Sequence, residues 1–331
     1  MNNKDRKVFW DTLCSLQGVD IDKEAELLRK TIKMPKNLYR FRPVTINSLD
    51  SLRTNTMYFS TADHYDDPFD SYSYIDWEQV NNQIICEYND STKLQNIASM
   101  IQSVFNIPAN QVTYSIKSVP SNQWIEYSNA FLEYTREEIQ RIQLSICFTE
   151  QFDNEVLWLK YASQHKGFAL EYQITDDFLV LNGKISQQKC FLYPIYYSNK
   201  KYNATEYAKM LTYKIAAQNS KSEFSDIILN NLPKMNWHYE RIGLIKHKCH
   251  EHDREWRILY PFIMQSQDIK IQRPKIERKP SSVIIGIRTG IPEKNLIISS
   301  AKEAGIPKIY QLRIDKSGKF VKELIYNNKQ K

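Results

Sequence analysis

Glycine is unusually scarce along this chain. Only 8 of its 331 residues are glycine, and none lies between Gly18 and Gly167. A backbone cradle for phosphate groups needs clustered glycines, because the main chain must approach the ligand closely. The sequence contains neither G-x-G-x-x-G nor G-x-x-x-x-G-K-[ST]. We therefore expect neither a Rossmann dinucleotide-binding fold nor a P-loop fold, and any bound nucleotide must be held by side chains.

Composition and cysteine usage limit the class of protein further. The chain is 42% hydrophobic and 25% charged, which is typical of a folded globular protein. It has no apolar run near the roughly 20 residues that span a bilayer, and its first 13 residues lack the apolar core of an export signal. The five cysteines include no C-x-x-C pair. This usage disfavours disulfides and zinc ribbons, so we expect a cytoplasmic protein without membrane contact or metal.

Charge is distributed unevenly between the two halves of the chain. Residues 1–181 contain 17 lysines and arginines against 25 aspartates and glutamates, whereas residues 182–331 contain 28 against 13. Such an asymmetry is typical of a basic face that attracts polyanions, including nucleic acids. The alternative is a solvated, lysine-rich surface without a specific partner. Nucleic-acid contact through the basic carboxyl-terminal half is therefore one hypothesis.

Apolar spacing and proline breaks divide the chain into helices and strands. They predict an amino-terminal helical arm over residues 1–36 and a single α+β domain over 37–331, with a helical insertion at about 72–143. Helices are also expected at 45–54, 155–165, 201–232 and 291–304. Strands are expected at 38–42, 56–60, 143–149, 168–174, 190–197, 255–260, 283–287, 308–314 and 320–325. The order of these elements predicts a mixed sheet with flanking helices.

Two short segments before the helical insertion carry candidate binding residues. Arg40 and Arg42 alternate along a predicted strand, so both face one side, where two guanidiniums can bind phosphate oxygens. A solvated strand face is the alternative. The loop that follows the next strand offers Asp67, Phe69 and Asp70 as candidate binding residues. Asp67 and Asp70 can bind a cation or orient a catalytic side chain, but such Asp-Pro loops are more often structural turns.

A predicted helix presents an aromatic face near the middle of the chain. Trp158, Tyr161 and His165 recur at helical spacing, and Gly167 is placed to end the helix. This face is a candidate wall for stacking on a base or nicotinamide, with His165 and Lys166 near the phosphates. The alternative is ordinary core packing.

The richest polar stretch covers residues 246–257. On a strand, Asp253, Glu255 and Arg257 share one face, while Trp256 enters the core. A carboxylate near guanidiniums stays ionised and can stabilise a developing cation; a plain salt-bridge ladder is the alternative. Lys246 is a further binding candidate. The histidines of this stretch lie too close together in sequence for one tetrahedral zinc site.

Several of these motifs together resemble a bacterial family, domain-of-unknown-function family two-nine-seven-one. The resemblance spans residues 38–325 and is carried by Tyr39-Arg40, Tyr58-Phe59-Ser60, Asp66 through Asp70, Cys147-Phe148-Thr149, Trp158 through Gly167, and Asp253 through Arg257. Two positions depart from the usual pattern: Asp66, where asparagine is common, and Asp253, where glutamate is common. The family name implies no activity.

The order of the motifs is also similar to that of ADP-ribosyltransferases. That resemblance implies a split, largely antiparallel sheet whose cleft binds NAD as substrate. It assigns Arg40 to NAD, Tyr58 to stacking on nicotinamide, Ser60 to the ribose, and Glu255 to catalysis. His165 and Lys166 would then lie at the rim of the cleft.

Three functions follow as hypotheses. The leading one is an NAD-consuming ADP-ribosyltransferase-like enzyme that modifies a nucleic acid or protein. It would act as a toxin or anti-phage defence effector, with an antitoxin or defence protein as partner. The second is a nucleic-acid-binding module or a nuclease that uses Asp67, Asp70 or Asp253. The third is a non-catalytic sensor in which residues 72–143 bind a partner protein.

Overall fold

A computed structural model describes most of the chain: residues 1–118, 121–175, 180–182, 187–189, 191–220, 236–260, 270 and 273–328. The helices are α1 (Asn3–Ser15), α2 (Ile21–Lys30), α3 (Ile46–Arg53), α4 (Trp77–Asn89), α5 (Ser91–Phe105), α6 (Ala109–Lys117), α7 (Ser121–Arg141), α8 (Glu155–Tyr161), α9 (Thr205–Ser220), α10 (His238–Gly243) and α11 (Ile291–Glu303). Short 3-10 helices cover Ala62–His64 and Lys248–Asp253.

The strands are β1 (Asn37–Arg42), β2 (Thr56–Tyr58), β3 (Ser60–Thr61), β4 (Leu144–Thr149), β5 (Phe168–Gln173), β6 (Val180–Asn182), β7 (Gln187–Lys189), β8 (Leu192–Pro194), β9 (Tyr196–Ser198), β10 (Ile245–His247), β11 (Glu255–Leu259), β12 (Lys275–Glu277), β13 (Ser282–Ile285), β14 (Lys308–Ile314) and β15 (Phe320–Asn327). The main sheet has the order β15-β14-β13-β5-β1-β4-β11-β8, and β3 also pairs with β4. Its pairs are antiparallel except β13 with β14. The predicted α+β fold with a mixed, largely antiparallel sheet is confirmed.

Several predicted helices match the structure closely. The amino-terminal helices are α1 and α2, and α1 buries Phe9, Trp10 and Leu13 in an apolar cluster shared with β8 and β9. The predicted helical insertion contains α4 to α7. Of the predicted helix over 201–232, residues 221–232 lie outside the described part of the chain. No helix within the described residues is long and apolar enough to cross a membrane.

Strand alternation sends apolar and polar side chains to opposite faces of the sheet. On β4, Leu144, Ile146 and Phe148 are buried in the main apolar cluster, to which β11 adds Trp256 and Ile258. The intervening residues of both strands therefore face the other way. This alternation is the local reason that polar side chains of β4 and β11 gather on one face.

The sheet is divided between β1 and β4. The register of β1 with β5 runs over six residue pairs, whereas its register with β4 contains only Tyr39 opposite Thr149. Farther along β4, Ser145 pairs instead with Ser60 of β3. The two strands thus part beyond Tyr39, and the backbone leaves an opening beside Arg40 and Arg42.

The predicted helix over 155–165 is shorter than expected. Helix α8 ends at Tyr161, and Ser163, Gln164 and His165 then take left-handed conformations with φ of 47°, 57° and 68°. The amide of Gly167 closes this turn by donating to the carbonyl of Ala162 at 2.8 Å. Non-glycine residues rarely adopt positive φ, so continued helical spacing was a misleading signal here.

Gly167 fixes the end of β1 through a close backbone contact. A Cβ atom at this position would lie 2.1 Å from the carbonyl oxygen of Arg42 and 3.0 Å from Cα of Ala162. We expect Gly167→Ala to lower the free energy of unfolding by about 3 kcal/mol, because backbone atoms cannot move aside cheaply. Urea denaturation measures the change.

Gly290→Ala is the matched control for that substitution. Among the described residues, the one atom closer than 3.0 Å to its Cβ would be a carboxylate oxygen of Glu293, at 2.5 Å, and that side chain can rotate away. We expect Gly290→Ala to lower the free energy of unfolding by less than about 1 kcal/mol. Equal losses in the two variants would contradict the contact assigned to Gly167.

Candidate active site

A cleft of about 270 Å³ opens where β1 and β4 part. Two walls come from the sheet: β1 on one side and β4 with β11 on the other. The remaining lining residues come from β3 and the loop after it, helix α8, β10 and the 3-10 helix Lys248–Asp253. The residues that line it are Tyr39, Arg40, Phe41, Arg42, Ser60, His64, Tyr65, Asp66, Asp67, Asp70, Ser145, Cys147, Phe148, Thr149, Leu157, Tyr161, Lys246, Asp253, Glu255 and Arg257.

The β1 wall carries two cations without anionic partners. Arg40 is only 8% exposed and Arg42 is half-buried. Among the described residues, neither guanidinium forms an ion pair or a hydrogen bond. Burial lowers the pKa of Arg40, and burial together with the neighbouring Arg40 lowers that of Arg42. Because arginine nevertheless stays protonated at neutral pH, this wall is suited to an anionic ligand.

The opposite wall is a buried cluster of five charged residues. Lys246 Nζ lies 3.0 Å from both Asp253 Oδ2 and Glu255 Oε2, and 3.6 Å from Asp70 Oδ2. Arg257 binds both carboxylate oxygens of Asp70, at 2.8 and 2.6 Å, and its Nε donates to Glu255 Oε1 at 2.6 Å. Three carboxylates face two cations, so the cluster carries a formal charge of −1.

These contacts keep Glu255 ionised. Burial by itself would raise the pKa of Glu255, but Arg257 and Lys246 outweigh burial and hold it well below its usual value. The same carboxylates hold the pKa of Lys246 well above its usual value, against the effect of burial. The cluster therefore presents fixed charges to the cleft at neutral pH.

The cleft is also lined by hydroxyl and thiol groups that were not among the predicted site residues. Tyr65 and Ser145 share a short hydrogen bond, and Cys147 Sγ lies 3.7 Å from the Tyr65 hydroxyl. The guanidinium carbon of Arg257 lies 5.4 Å from the centroid of the Tyr65 ring. Burial raises the pKa of Cys147 to about 11, so its thiol is neutral. The alternation of Ser145, Cys147 and Thr149 along β4 was the available signal.

The structure brings ten predicted site residues together in the cleft: Arg40, Arg42, Ser60, Asp67, Asp70, Tyr161, Lys246, Asp253, Glu255 and Arg257. The pairing expected on β11 is present, since Glu255 and Arg257 face the cleft while Trp256 enters the core. Asp253 joins the cluster from a 3-10 helix and not from the strand.

Five predicted site residues do not line the cleft. Tyr58 lies on β2, which pairs with β12, and Phe69 is 63% exposed on the outer side of its loop. Trp158 is fully buried against Phe41, and the ring of His165 stacks on Trp158 at 6.3 Å. Lys166 is exposed on the turn that follows α8. Helix α8 ends at Tyr161, so the predicted aromatic face over 158–165 does not form. Trp158 packs in the core with His165 stacked on it, and of the three predicted residues only Tyr161 lines the cleft.

Two histidines contact carboxylates at or beside the cleft: His64 lines it, and His250 contacts Asp67, which lines it. The Nδ1 atom of His64 lies 2.9 Å from Asp63 Oδ1, and His250 Nε2 lies 3.1 Å from Asp67 Oδ2. Within the described ranges, no group of three or more His, Cys, Asp and Glu side chains is arranged to hold a metal ion. Asp70 and Asp253 are instead ion-paired with Arg257 and Lys246.

Residues 157–258 match the model of the family described as Protein of unknown function (DUF2971). Over these residues the chain is similar to the DUF2971 family. No curated protein and no solved structure matches the chain. The DUF2971 segment supplies Tyr161 and the cluster residues Lys246, Asp253, Glu255 and Arg257, whereas Arg40 and Arg42 precede it. The cleft is thus formed jointly by the DUF2971 segment and the residues before it.

Proposed function

We propose that this protein is an NAD-consuming enzyme of the ADP-ribosyltransferase type that modifies a macromolecular acceptor. One observation carries the proposal: the buried Arg40 and the half-buried Arg42, which have no anionic partner among the described residues, face an ionised carboxylate cluster across a cleft. NAD has the complementary distribution of charge, with an anionic pyrophosphate and a cationic nicotinamide ring. The volume of the cleft lies near the lower end of ligand pockets, which suits the nicotinamide half of the molecule.

In this proposal, each part of the substrate is matched to residues of one wall. Arg40 and Arg42 bind pyrophosphate oxygens through charge-assisted hydrogen bonds. Glu255 lies beside the ribose and the bond that joins the ribose to nicotinamide. Tyr65 and Tyr161 line the cleft and offer aromatic surface to the nicotinamide ring, which is the role that the resemblance to ADP-ribosyltransferases implied for Tyr58. Ser60, which lies on β3 opposite Ser145 of β4 and lines the cleft, binds a ribose hydroxyl.

The reaction breaks the bond between C1′ of the ribose and the pyridinium nitrogen. The bonding electron pair stays on that nitrogen, so nicotinamide leaves as a neutral molecule and the ribose becomes an oxocarbenium ion. Glu255 stabilises this cation electrostatically, because its charge is fixed before the reaction begins. An oxygen or nitrogen of the acceptor then bonds to C1′ and gives its proton to solvent or to a basic group at the mouth of the cleft.

The ion pairs of the cluster favour this activity over metal-dependent nucleic-acid cleavage. A nuclease would need Asp67, Asp70 or Asp253 to bind its cation. Asp70 is held in a bidentate pair by Arg257, and Asp253 is paired with Lys246. Both carboxylates would have to leave buried partners to bind a metal ion, at a large cost in free energy.

Removing both arginine charges tests the proposal. We expect the double variant Arg40→Gln, Arg42→Gln to bind NAD and ADP about a hundredfold more weakly in calorimetric titration, because each guanidinium contributes charge-assisted hydrogen bonds to phosphate. Without ligand, the double variant should unfold at the same temperature as the wild type or higher, because it lacks the uncompensated charges of the buried Arg40 and the half-buried Arg42.

Arg313→Gln is the matched control for charge. Arg313 is 56% exposed on β14 and pairs with Glu323, away from the cleft, so its loss should leave NAD affinity unchanged. Wild-type affinity for NAD in the double variant would overturn the proposal. A wild-type protein that binds neither NAD nor ADP would do the same.

A further inference from the structure

A second cavity of about 220 Å³ lies beside the cleft, between residues 71–77 and helix α7. Its wall includes Tyr72, Ser73, Tyr74 and Trp77 from the first segment and Arg136 and Gln140 from the helix. The chain itself connects the two cavities, because Asp70 lines the cleft and Ser71 lines the second cavity. Neither the proposed chemistry nor the family match assigns this cavity a role.

A buried polar group in this wall has no hydrogen-bond partner among the described residues. Ser73 is 7% exposed, and its hydroxyl is buried without a hydrogen bond to any of them. Leaving a buried hydroxyl unpaired costs free energy, so a ligand that supplies the missing hydrogen bond recovers this cost. Gln140 is already oriented, since its amide nitrogen donates to the carbonyl oxygens of Pro68 at 3.1 Å and Asp70 at 3.2 Å.

Aromatic rings and cations line this cavity or contact Tyr72 in its wall. Tyr74 is 53% exposed and Phe69 is 63% exposed. The ammonium nitrogen of Lys201 lies 4.7 Å from the ring centroid of Phe69 and 4.1 Å from that of Tyr72. The guanidinium carbon of Arg136 lies 5.2 Å from the Tyr72 centroid, and Nη2 of Arg136 donates a hydrogen bond to the Tyr72 hydroxyl. Aromatic rings next to cations are the usual means of binding a nucleotide through its base and its phosphate.

We propose that this second cavity binds a base of a single-stranded nucleic acid, which is the acceptor of the transferred group. The base would stack on Tyr74 and bond to Ser73, and Arg136 and Lys201 would contact the neighbouring phosphates. The next nucleotide of the strand then reaches the mouth of the cleft. The identity of the acceptor rests on the proposed function, whereas the binding site stands on its own geometry.

The position of the cavity favours an acceptor base over the adenine of NAD. Ser71 Oγ lies 3.4 Å from Arg257, so the cavity is on the Glu255 side of the cleft, across from Arg40 and Arg42. In NAD, the adenosine and the nicotinamide riboside are attached to opposite ends of the pyrophosphate. With the pyrophosphate on the two arginines and nicotinamide near Glu255, adenine extends away from the second cavity.

Binding of labelled oligonucleotides in the absence of NAD tests this proposal. The measurement is fluorescence anisotropy with short single-stranded RNA and DNA, using the full chain. We expect Tyr74→Ala to weaken binding about tenfold, which corresponds to the loss of one base–aromatic stack, and Arg136→Gln to weaken it severalfold. Tyr114→Ala, which removes a 76% exposed ring from α6, and Arg313→Gln should bind as the wild type does.

Calorimetric titration with NAD completes the test. We expect Tyr74→Ala and Arg136→Gln to keep wild-type affinity for NAD. A wild type that binds no oligonucleotide, or variants that bind oligonucleotides as the wild type does, would overturn the proposal. Loss of NAD affinity with unchanged oligonucleotide binding would assign the cavity to adenine instead. If NAD does not bind at all but Tyr74→Ala loses oligonucleotide binding, the proposed enzymatic function fails and this site remains.

Discussion

Replacement of Glu255 by glutamine is expected to slow nicotinamide release from NAD by about a hundredfold or more. The amide has nearly the same shape, but it lacks the charge that stabilises the oxocarbenium ion. NAD affinity should change little, because Arg40 and Arg42 lie on the other wall and remain intact. Nicotinamide release at saturating NAD measures the effect on turnover, and calorimetric titration measures the binding.

Glu171→Gln is the matched control for that substitution. Glu171 is a second buried sheet carboxylate, bonded to Tyr39 and Ser282 and paired with Lys322 at 3.1 Å, but it does not line the cleft. We expect Glu171→Gln to lose about as much stability as Glu255→Gln does, but to release nicotinamide at the wild-type rate. Equal losses of turnover in both variants would mean that Glu255 acts only through the stability of the sheet.

Replacement of Arg257 by methionine should lower the free energy of unfolding by about 3–5 kcal/mol. Arg257 is 1% exposed and bonds to Asp70, Glu255 and the carbonyl of Gly243. Without it, two buried carboxylates lose a cation, and breaking one side of a buried pair typically costs this much. Lys246 remains but cannot balance three carboxylates.

Urea denaturation measures this loss, with Arg313→Met as the comparison. Arg313 and Glu323 form an exposed pair at 2.7 Å, and exposed pairs contribute less than about 1 kcal/mol. If Arg257→Met lowers the free energy of unfolding no more than Arg313→Met does, the structural role assigned to the cluster is contradicted. If Arg257→Met does not fold, Asp70→Asn removes one carboxylate of the same pair and should also be destabilising.

Residue alternation predicted the parts of the site that lie on single strands. It placed Arg40 with Arg42, and Glu255 with Arg257, because a strand side-chain period of two depends only on local sequence. The same rule applied to β4 would have placed Ser145, Cys147 and Thr149 in the cleft. The scarcity of glycine likewise agrees with a cleft whose charged groups are side chains.

Local patterns could not predict contacts that depend on tertiary pairing. Tyr58 lies away from the cleft because β2 pairs with β12, more than two hundred residues later in the chain. Tyr65 enters the cleft because Asp70, in the same loop, is held by Arg257 of a distant strand. His165 lies outside helix α8 because a left-handed turn, closed by the amide of Gly167, follows the helix.

The most direct test of the account is to follow NAD that carries a label either in the nicotinamide ring or in the adenylate phosphate. The wild-type protein is incubated with each substrate, alone and with single-stranded nucleic acid. We predict that the nicotinamide label is released while the adenylate label remains in ADP-ribose, either free or attached to the acceptor. Intact NAD in every mixture, or cleavage that separates the two phosphates, would contradict the account.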